Sequence, residues 1–283
     1  MVRIKKLNMN SKERIKIIDR NFAHAEYSSD YQISKHIDWV RDDSGTNGEI
    51  IFLTDHMLQH VDQFEGKKIG WLMEPKSMIS HIYEWVKYNY NKFDTIITYD
   101  KDLIDVSDNI IFYPHSGCWI KKEDQEMHQK TKLLSIIASN KSTTVGHKLR
   151  HDAINLCKTN NIDIDLFGRV YNPIEYKLMA LKDYAFTIVI ENIKYDYYFT
   201  EKLMDSFVAG TIPIYWGCPS IGNFFNTDGM IIFDDLNHLF LQLNELSFEK
   251  YHKMKSAAIE NLGLAQEYML AEDWVYNNTQ IFK

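Results

Sequence analysis

The sequence contains few of the residues that bend or cross-link a chain: 3 cysteines, 5 prolines and 12 glycines among 283 residues. So little glycine and proline excludes a collagen-like repeat, a disordered chain and a turn-dense β-sandwich. Cys118, Cys157 and Cys218 are too few and too far apart for a disulfide framework. Such sparse cysteine usage is typical of a protein from a reducing compartment.

Basic charge and long apolar runs are lacking as well. Lys and Arg number 32 against 39 for Asp and Glu, a net charge of −7, so the chain lacks the basic footprint of a general nucleic-acid binder. No run approaches the roughly 18 apolar residues of a membrane-spanning helix, and residues 1–23 include no apolar core of signal-peptide length. We therefore expect a cytoplasmic protein with neither a nucleic-acid partner nor a membrane span.

Hydrophobic residues are plentiful, at 45% of the chain, and a chain of this size buries about three quarters of its unfolded surface. Short runs rich in β-branched and aromatic residues alternate with helical patterns, which predicts βα units on a largely parallel sheet. In the first half of the chain, strands are predicted at 49–53, 68–73, 94–98 and 109–113, and a helix at 78–90.

The alternation restarts after a segment rich in Lys and Glu, residues 121–132. Two successive α/β halves place a ligand site in the cleft between them, because such sheets bind ligands at the carboxyl ends of their strands. Strands are predicted at 133–138, 162–167, 184–190, 212–216 and 230–234, and helices at 144–159, 173–182, 200–209 and through most of 238–283.

The most informative segment is 187–226, which has the order strand, polar loop, helix N-terminus and strand. The helix that begins near Thr200 offers unpaired N–H groups and a positive dipole end to an anion. Lys202 adds a point charge suited to phosphate, and Glu201 can accept two hydroxyl hydrogen bonds, as from a ribose. The segment indicates a nucleotide site, although an isolated Thr-Glu-Lys would more often serve only the helix dipole and the solvent.

Three parts of this segment stand in a familiar order: Ile190-Glu191-Asn192, Tyr198-Phe199-Thr200-Glu201-Lys202, and the run Ala-Gly-Thr-Ile-Pro-Ile-Tyr-Trp-Gly-Cys-Pro at 209–219. They closely resemble the donor-binding motif of the α1,3/α1,4-fucosyltransferases, family ten of the glycosyltransferases. Ile190 stands where the family usually has Phe, and Ile193 where it usually has Ser. Loss of that Ser could alter a sugar contact.

The resemblance implies an α/β protein of the GT-B fold, with two Rossmann-like halves and the active-site cleft between them. We expect an acceptor-binding half at 1–125, a nucleotide-sugar-binding half at 126–265 and a helical tail at 266–283 that packs back on the N-terminal half. The implied reaction is inverting transfer of fucose from GDP-fucose to a hydroxyl of a glycan acceptor, with an α1,3-type linkage. No cofactor is implied, and a divalent metal is not expected to be essential.

The resemblance also implies roles for residues of the motif. Lys202 would bind the pyrophosphate, Glu201 the ribose, and Tyr198 the nucleotide or the fucose. Glu191 and Asn192 would line the sugar end of the site.

A second donor contact is expected after the predicted strand at 133–138. The family has Ser-Asn followed closely by an Arg that contacts the phosphates, and here Ser139-Asn140 precedes two candidates. Spacing puts His147 at the Arg position, whereas chemistry favours Arg150, one helical turn further along. We choose Arg150 because a bidentate guanidinium suits phosphate better than an imidazole, and keep Asn140 and His147 as additional candidates.

Inverting transfer needs a base for the acceptor hydroxyl, and the first half offers Glu74. Glu74 follows a predicted strand directly, at the end where sites form, and Pro75 ends that strand. A Glu-Pro pair at a strand end is often only a polar turn. The resembled family, however, places its proposed catalytic Glu in this context, with Gly where this chain has Met73, and we therefore predict Glu74 as the base.

Other patterns point more weakly to a site. His56 and His60 have a spacing that suits zinc, but no third ligand follows, and partly buried or acceptor-binding histidines remain the alternatives. Asp163 and Asp165 have an Asp-x-Asp form, which we interpret as the polar face of a strand rather than a metal site. The turn at 113–117 could touch an acceptor, and Cys218 has no paired His that would make it a nucleophile.

Three alternatives to a fucosyltransferase remain open. The chain could use a different nucleotide sugar, could be a non-catalytic nucleotide- or glycan-binding module on the same scaffold, or could hydrolyse a sugar nucleotide. The joint presence of Glu74, Glu201 and Lys202 favours catalysis. The sequence does not identify the acceptor.

Overall fold

A computed structural model describes residues 12–42, 50–114 and 117–282, and within them the chain forms two parallel β-sheets flanked by helices. The first sheet has the strand order β2-β1-β3-β4-β5-β6. Its carboxyl edge has a topological switch point between β1 and β3, since the chain leaves β1 on one side and returns on the other. The strands are β1 (Glu13–Ile18), β2 (Ile37–Val40), β3 (Ile50–Thr54), β4 (Lys67–Trp71), β5 (Thr95–Thr98) and β6 (Ile110–Phe112), with helices α1 (Ser80–Asn89) and α2 (Lys101–Ile104).

The second sheet has the order β11-β10-β9-β7-β8, and its switch point lies between β7 and β9. All seven residues of β9 are buried, as expected for a parallel strand covered on both faces. The strands are β7 (Lys132–Ile137), β8 (Asp165–Phe167), β9 (Tyr184–Ile190), β10 (Ile212–Trp216) and β11 (Ile231–Ile232); the helices are α3 (Val145–Thr159), α4 (Glu201–Val208), α5 (Leu236–Asn244), α6 (Phe248–Ala265) and α7 (Ala271–Asn278).

The predicted alternation of strands and helices is confirmed in outline, with corrections at three places. Strands β1 and β2 were not predicted, because their charged residues hide the apolar alternation. The strand predicted at 162–167 is shorter and begins at Asp165. The helix predicted at 173–182 is wrong: the segment has a single 3-10 turn at Lys177–Ala180, which buries Leu178 and Ala180 against neighbouring strands and then ends.

The last helix of the chain lies on the first sheet rather than the second. Ala271 and Val275 of α7 pack in the core cluster that contains Ile15 and Trp71. The buried Glu272 carboxylate accepts hydrogen bonds from the N–H and hydroxyl of Ser28 (2.7 and 2.5 Å) and from the Trp39 indole (2.8 Å). The chain therefore crosses from the first half to the second and returns, which ties the two halves together.

Two sequence-based interpretations fall partly outside the described residues. His115 and Ser116 of the turn at 113–117 lie outside them, as do residues 1–11 of the N-terminal segment. Among the helices that the structure does describe, none combines the length and the apolar character needed to cross a membrane.

Replacing Glu272 tests the attachment of the last helix. Glu272→Ala removes the acceptor of three partly buried donors of the first half, and we expect a loss of about 3 kcal/mol in the free energy of unfolding. Urea denaturation measures the change. Glu249→Ala, which removes an exposed carboxylate on α6, is the control and should change stability by less than about 0.5 kcal/mol. Equal effects of the two substitutions would contradict the assignment.

Candidate active site

The N-terminus of α4 is held against the end of β9 by a buried carboxylate. Glu191 is fully buried, and its two oxygens accept hydrogen bonds from the Thr200 N–H (2.8 Å) and the Thr200 hydroxyl (2.7 Å). Thr200 is the N-cap of α4, and its Oγ1 in turn accepts from the backbone N–H and the Nζ of Lys202 (3.3 and 3.0 Å). Burial raises the pKa of Glu191, while the charge of Lys202, 3.7 Å away, opposes the rise.

The N-terminus of α3 packs on the same turn, and a glycine makes this approach possible. The Gly146 N–H donates to the carbonyl oxygen of Asn192 (3.0 Å). A Cβ atom at Gly146 would lie 1.7 Å from the carbonyl oxygen of Glu191, which no side chain could tolerate. Two helix N-termini, those of α3 and α4, thus meet at the switch point of the second sheet, where an anion would be favoured.

Arg150 is held at this point by the end of β9. Its Nε donates to the carbonyl oxygen of Ile190 (2.9 Å) and its Nη2 to Oδ1 of Asn192 (2.8 Å). The side chain is buried, and burial lowers its pKa while Glu191 and Glu201 oppose the change. A guanidinium fixed in this way presents charge in one orientation, because its rotamer is already set by two hydrogen bonds.

His147 has a structural role in the same helix. It closes a capping box with Thr144: the His147 N–H donates to Thr144 Oγ1 (3.1 Å) and His147 Nδ1 accepts from the Thr144 N–H (3.3 Å). Burial lowers the pKa of His147 to about 4, with further contributions from Arg150, Lys141 and Lys202. The imidazole is therefore neutral near pH 7, and with Nδ1 accepting, its proton lies on Nε2.

Glu201 and Lys202 begin α4 as a linked pair. Oε1 of Glu201 lies 3.2 Å from Lys202 Nζ and 3.4 Å from Lys177 Nζ. Lys177 also donates to the buried Asp205 (2.8 Å), which accepts a second hydrogen bond from the Trp119 N–H (2.6 Å). This network joins the start of α4 to the segment that connects the two halves.

Glu74 approaches the same site from the first sheet. It lies three residues after β4 and is half-buried. Burial raises its pKa, the charges of Lys202 and Lys141 lower it, and Glu201 raises it further. Charged groups of the second half thus shift the pKa of a carboxyl group of the first half, across the facing carboxyl ends of the two sheets.

Tyrosines from the two halves pack together beside this group. The ring of Tyr198, in the loop before α4, lies 5.1 Å from the ring of Tyr99 at the end of β5, and Tyr195 lies 5.8 Å from Tyr99. Tyr198 is only 2% exposed. The loop between β9 and α4 is therefore placed by the first half of the chain.

The structure brings most of the predicted site residues together. Glu191 lies beneath them: it is fully buried, and both its oxygens accept hydrogen bonds from Thr200, so it positions α4. Asn140 lies exposed in the loop between β7 and α3. The members that cluster at the facing carboxyl ends of the sheets are Glu74, His147, Arg150, Asn192, Tyr198, Glu201 and Lys202.

The weaker patterns find ordinary explanations. His56 packs beside His81 with the ring centroids 5.2 Å apart and the rings tilted by 34°, and His60 contacts Gln63 at the surface. Asp165 is bound to Lys132 and the Tyr184 hydroxyl at the edge of the second sheet. In the part of the chain that the structure describes, no three His, Cys, Asp or Glu side chains are grouped to hold a metal ion.

Several residues of the site escaped the sequence analysis. Asp205 lies four residues after Glu201 on one helix, a spacing that could have suggested a shared face. Asp55 lies two residues after the strand predicted at 49–53, near the end where sites form, and that position could have drawn attention to it. Lys177 lies in a segment predicted as an ordinary helix, and no motif or spacing in the sequence indicated that it would lie near the site.

This arrangement, two parallel α/β halves with charged groups at their facing carboxyl ends, defines a GT-B glycosyltransferase scaffold. A solved structure described as an alpha1,3-fucosyltransferase covers 97% of this chain and 93% of its own, with a TM-score of 0.57 at 15% identity. The structure of TarM also gives 0.57, at 12% identity, over 83% of this chain and 55% of its own. At these identities the likeness concerns the fold, and the predicted GT-B fold is confirmed.

The family is recognised in the second half of the chain. Residues 127–263 match the model for the C-terminal domain of glycosyltransferase family 10 (fucosyltransferase), and this match confirms the resemblance seen in the sequence. An alpha-(1,3)-fucosyltransferase, FucT, of Helicobacter pylori is 28% identical over 134 residues, 46% of this chain and 27% of the relative. A putative fucosyltransferase-like protein of Arabidopsis thaliana is 33% identical over 93 residues, 32% of this chain and 18% of the relative.

Gly146 offers a test of how the site is assembled. Gly146→Ala should cost about 2 kcal/mol or more in the free energy of unfolding, because the new methyl group collides with the Glu191 carbonyl. Gly263→Ala is a matched control inside α6, where an added methyl group meets no atom within 4 Å, and it should stabilise the protein by about 0.5–1 kcal/mol. Urea denaturation measures both changes. A neutral Gly146→Ala would show that α3 can withdraw from the turn.

Proposed function

We propose that this chain transfers fucose from GDP-fucose to a hydroxyl group of a glycan acceptor, with inversion at the anomeric carbon. The observation that carries the proposal is the opposition of one half-buried carboxyl group, Glu74, to a set of cationic groups and two helix N-termini across the cleft. The choice of sugar rests on the family of residues 127–263 and on a solved alpha1,3-fucosyltransferase described with GDP-fucose, similar in fold with a TM-score of 0.54.

In this proposal Glu74 is the general base. Its carboxylate takes the proton of the acceptor hydroxyl as that oxygen bonds to the anomeric carbon. The bond between the anomeric carbon and the diphosphate oxygen breaks at the same time, and GDP leaves with the electron pair. A raised pKa suits the task, since a base whose pKa lies nearer to neutral accepts a proton more readily.

The second half holds the donor. Lys202 contacts the pyrophosphate, and Arg150 with the N-termini of α3 and α4 stabilises the negative charge that develops on the leaving diphosphate. Glu201 accepts hydrogen bonds from the ribose hydroxyls. Tyr198 and Asn192 border the nucleotide and the sugar, and Glu191 acts by positioning Thr200 and Lys202.

The charge of the leaving group is, in this proposal, balanced by protein groups, and no divalent metal is essential. His147 also contributes, as a neutral donor through Nε2 rather than as a cation. The linkage is of the α1,3 type by family resemblance. We further propose a reducing compartment, because Cys118, Cys157 and Cys218 are all free and buried.

A panel of sugar nucleotides offered with glycan acceptors tests the activity. We expect transfer from GDP-fucose, undiminished by EDTA, with release of GDP. No transfer from any donor would overturn the proposal in favour of a binding module, release of GDP without an acceptor would indicate a hydrolase, and transfer from another donor alone would overturn the choice of fucose.

Glu74→Gln tests the base. It should lower kcat by about 10²- to 10⁴-fold and leave the Kd for GDP within about threefold, because the base acts only on the acceptor proton. Glu84→Gln, an exposed carboxylate on α1, is the matched control and should change neither value. An unchanged kcat in the Glu74→Gln variant would remove Glu74 from this role.

Lys202→Ala tests the donor site. Loss of a charged hydrogen-bond donor should raise the Kd for GDP at least about tenfold, as measured by calorimetry. Lys253→Ala removes a lysine that is exposed on α6 and should leave the Kd unchanged. An unaltered affinity in the Lys202→Ala variant would contradict the pyrophosphate contact.

A further inference from the structure

A second carboxyl group lies behind Glu74 and has no part in the proposed chemistry. Asp55 is the first residue after β3, and β3 is hydrogen-bonded to β4, the strand that leads to Glu74. The side chain is 4% exposed. Burial raises the pKa of Asp55 to about 7, a rise that hydrogen bonds from Met73, Glu74 and Asn21 oppose.

The contacts of Asp55 converge on the backbone that carries Glu74. Its Oδ1 accepts hydrogen bonds from the N–H of Met73 (2.8 Å) and the N–H of Glu74 (3.2 Å), and its Oδ2 lies 3.3 Å from the Glu74 N–H. Pro75 follows and cannot donate a hydrogen bond, so the Asp55 carboxylate serves the last two N–H groups before it. On the other side, the Tyr83 hydroxyl donates to the carbonyl oxygen of Glu74 (2.9 Å).

The backbone of Asp55 itself is unusual. Its φ is 43°, in the left-handed region that residues other than glycine seldom adopt. Such a conformation persists only where the surroundings over-determine it, and it is common at functional sites. Here it turns the Asp55 carboxylate away from the path of β3 and towards residues 73 and 74.

One further contact suggests a competing explanation. The amide Nδ2 of Asn21, in the loop after β1, donates to Oδ2 of Asp55 (2.5 Å). Asp55 could therefore serve only to fasten that loop at the switch point of the first sheet. Fastening the loop depends on the hydrogen bond from Asn21, whereas holding residues 73 and 74 depends on the hydrogen bonds from their N–H groups. Substitutions at Asn21 and at Asp55 therefore distinguish the two roles.

We infer that Asp55 is a positioning residue for the transfer reaction: its buried carboxylate fixes the backbone of residues 73 and 74 and thereby sets where the Glu74 carboxylate meets the acceptor hydroxyl. The inference rests on the proposed function, because it assigns to Glu74 the role of base. Asp55 touches neither substrate in this account. A displacement of about 1 Å at a reacting group can cost about 100-fold in rate, so loss of the Asp55 anchor should lower kcat.

The test compares Asp55→Ala with Asn21→Ala in steady-state kinetics with GDP-fucose and an acceptor glycan. Asp55→Ala should lower kcat about 100-fold and leave the KM for the donor within about threefold, since the donor groups lie on the other half. Asn21→Ala removes a hydrogen bond to the same carboxylate without touching residues 73 and 74, and it should leave kcat within about threefold. Equal losses in the two variants would overturn the inference in favour of loop fastening.

A conservative variant guards against simple unfolding. In Asp55→Asn, an oxygen remains for the N–H groups of residues 73 and 74, and the Asn21 amide can turn to present its oxygen to the new amide N–H. We therefore expect kcat of Asp55→Asn within about tenfold of wild type. A loss as large as that of Asp55→Ala in an Asp55→Asn variant that melts at the wild-type temperature would count against the inference.

A double-mutant cycle shows whether Asp55 acts through Glu74. Asp55→Ala made in the Glu74→Gln background should change the residual rate by less than about threefold, because the group that it positions is already gone. Multiplicative losses would show that Asp55 acts independently of Glu74 and would overturn the inference.

Hydrogen exchange supplies a readout that does not depend on activity. The amide protons of Met73 and Glu74 should exchange faster in Asp55→Ala and at the wild-type rate in Asn21→Ala. If wild type transfers no sugar, the proposed function fails by itself, and exchange still decides whether Asp55 anchors this turn. Unchanged exchange in Asp55→Ala would overturn the inference even if the wild-type protein is active.

Discussion

The candidate donor site depends on one buried carboxylate at the end of β9. Glu191 uses both oxygens to hold Thr200, and Thr200 in turn caps α4 and accepts a hydrogen bond from Lys202. Gly146 brings α3 to the same turn, and Gly217, whose added Cβ would lie 2.6 Å from Glu191 Cγ, lets β10 end beside it. A charged group is kept at 0% exposure because its hydrogen bonds and a nearby lysine offset the cost of removing it from water.

The distribution of charge resolves an apparent conflict between an acidic chain and an anionic donor. The net charge is −7, yet Arg150, Lys141 and Lys202 lie close together: after burial, their charges are the next contributions that lower the pKa of His147 to about 4. Two helix N-termini add to this local positive potential. On the opposite side of the cleft, burial raises the pKa of Glu74 above its ordinary value. The proposed base and the proposed anion site can coexist in one cleft because each belongs to a different half of the chain.

The sequence predicted most of the second half and less of the first. The apolar runs of β9 and β10 and the start of α4 at Thr-Glu-Lys are local signals, and they predicted these two strands and this helix start correctly. Strands β1 and β2 escaped because charged residues interrupt the apolar alternation in both. The helix predicted at 173–182 failed because burial of Leu178 and Ala180 against distant strands overrode the local pattern.

By itself, the sequence determined most strands and helices of the second half, the family motif at 190–219 and the candidate base, since each is encoded by neighbouring residues. Only the tertiary structure decided that Glu191 is a buried support, that Lys177 and Asp205 brace α4, and that Asp55 anchors residues 73 and 74. These roles depend on hydrogen bonds between groups that lie 9 to 28 residues apart and belong to different elements or loops. Their partners are chosen by the packing of strands and helices, and no local spacing of residues records that choice.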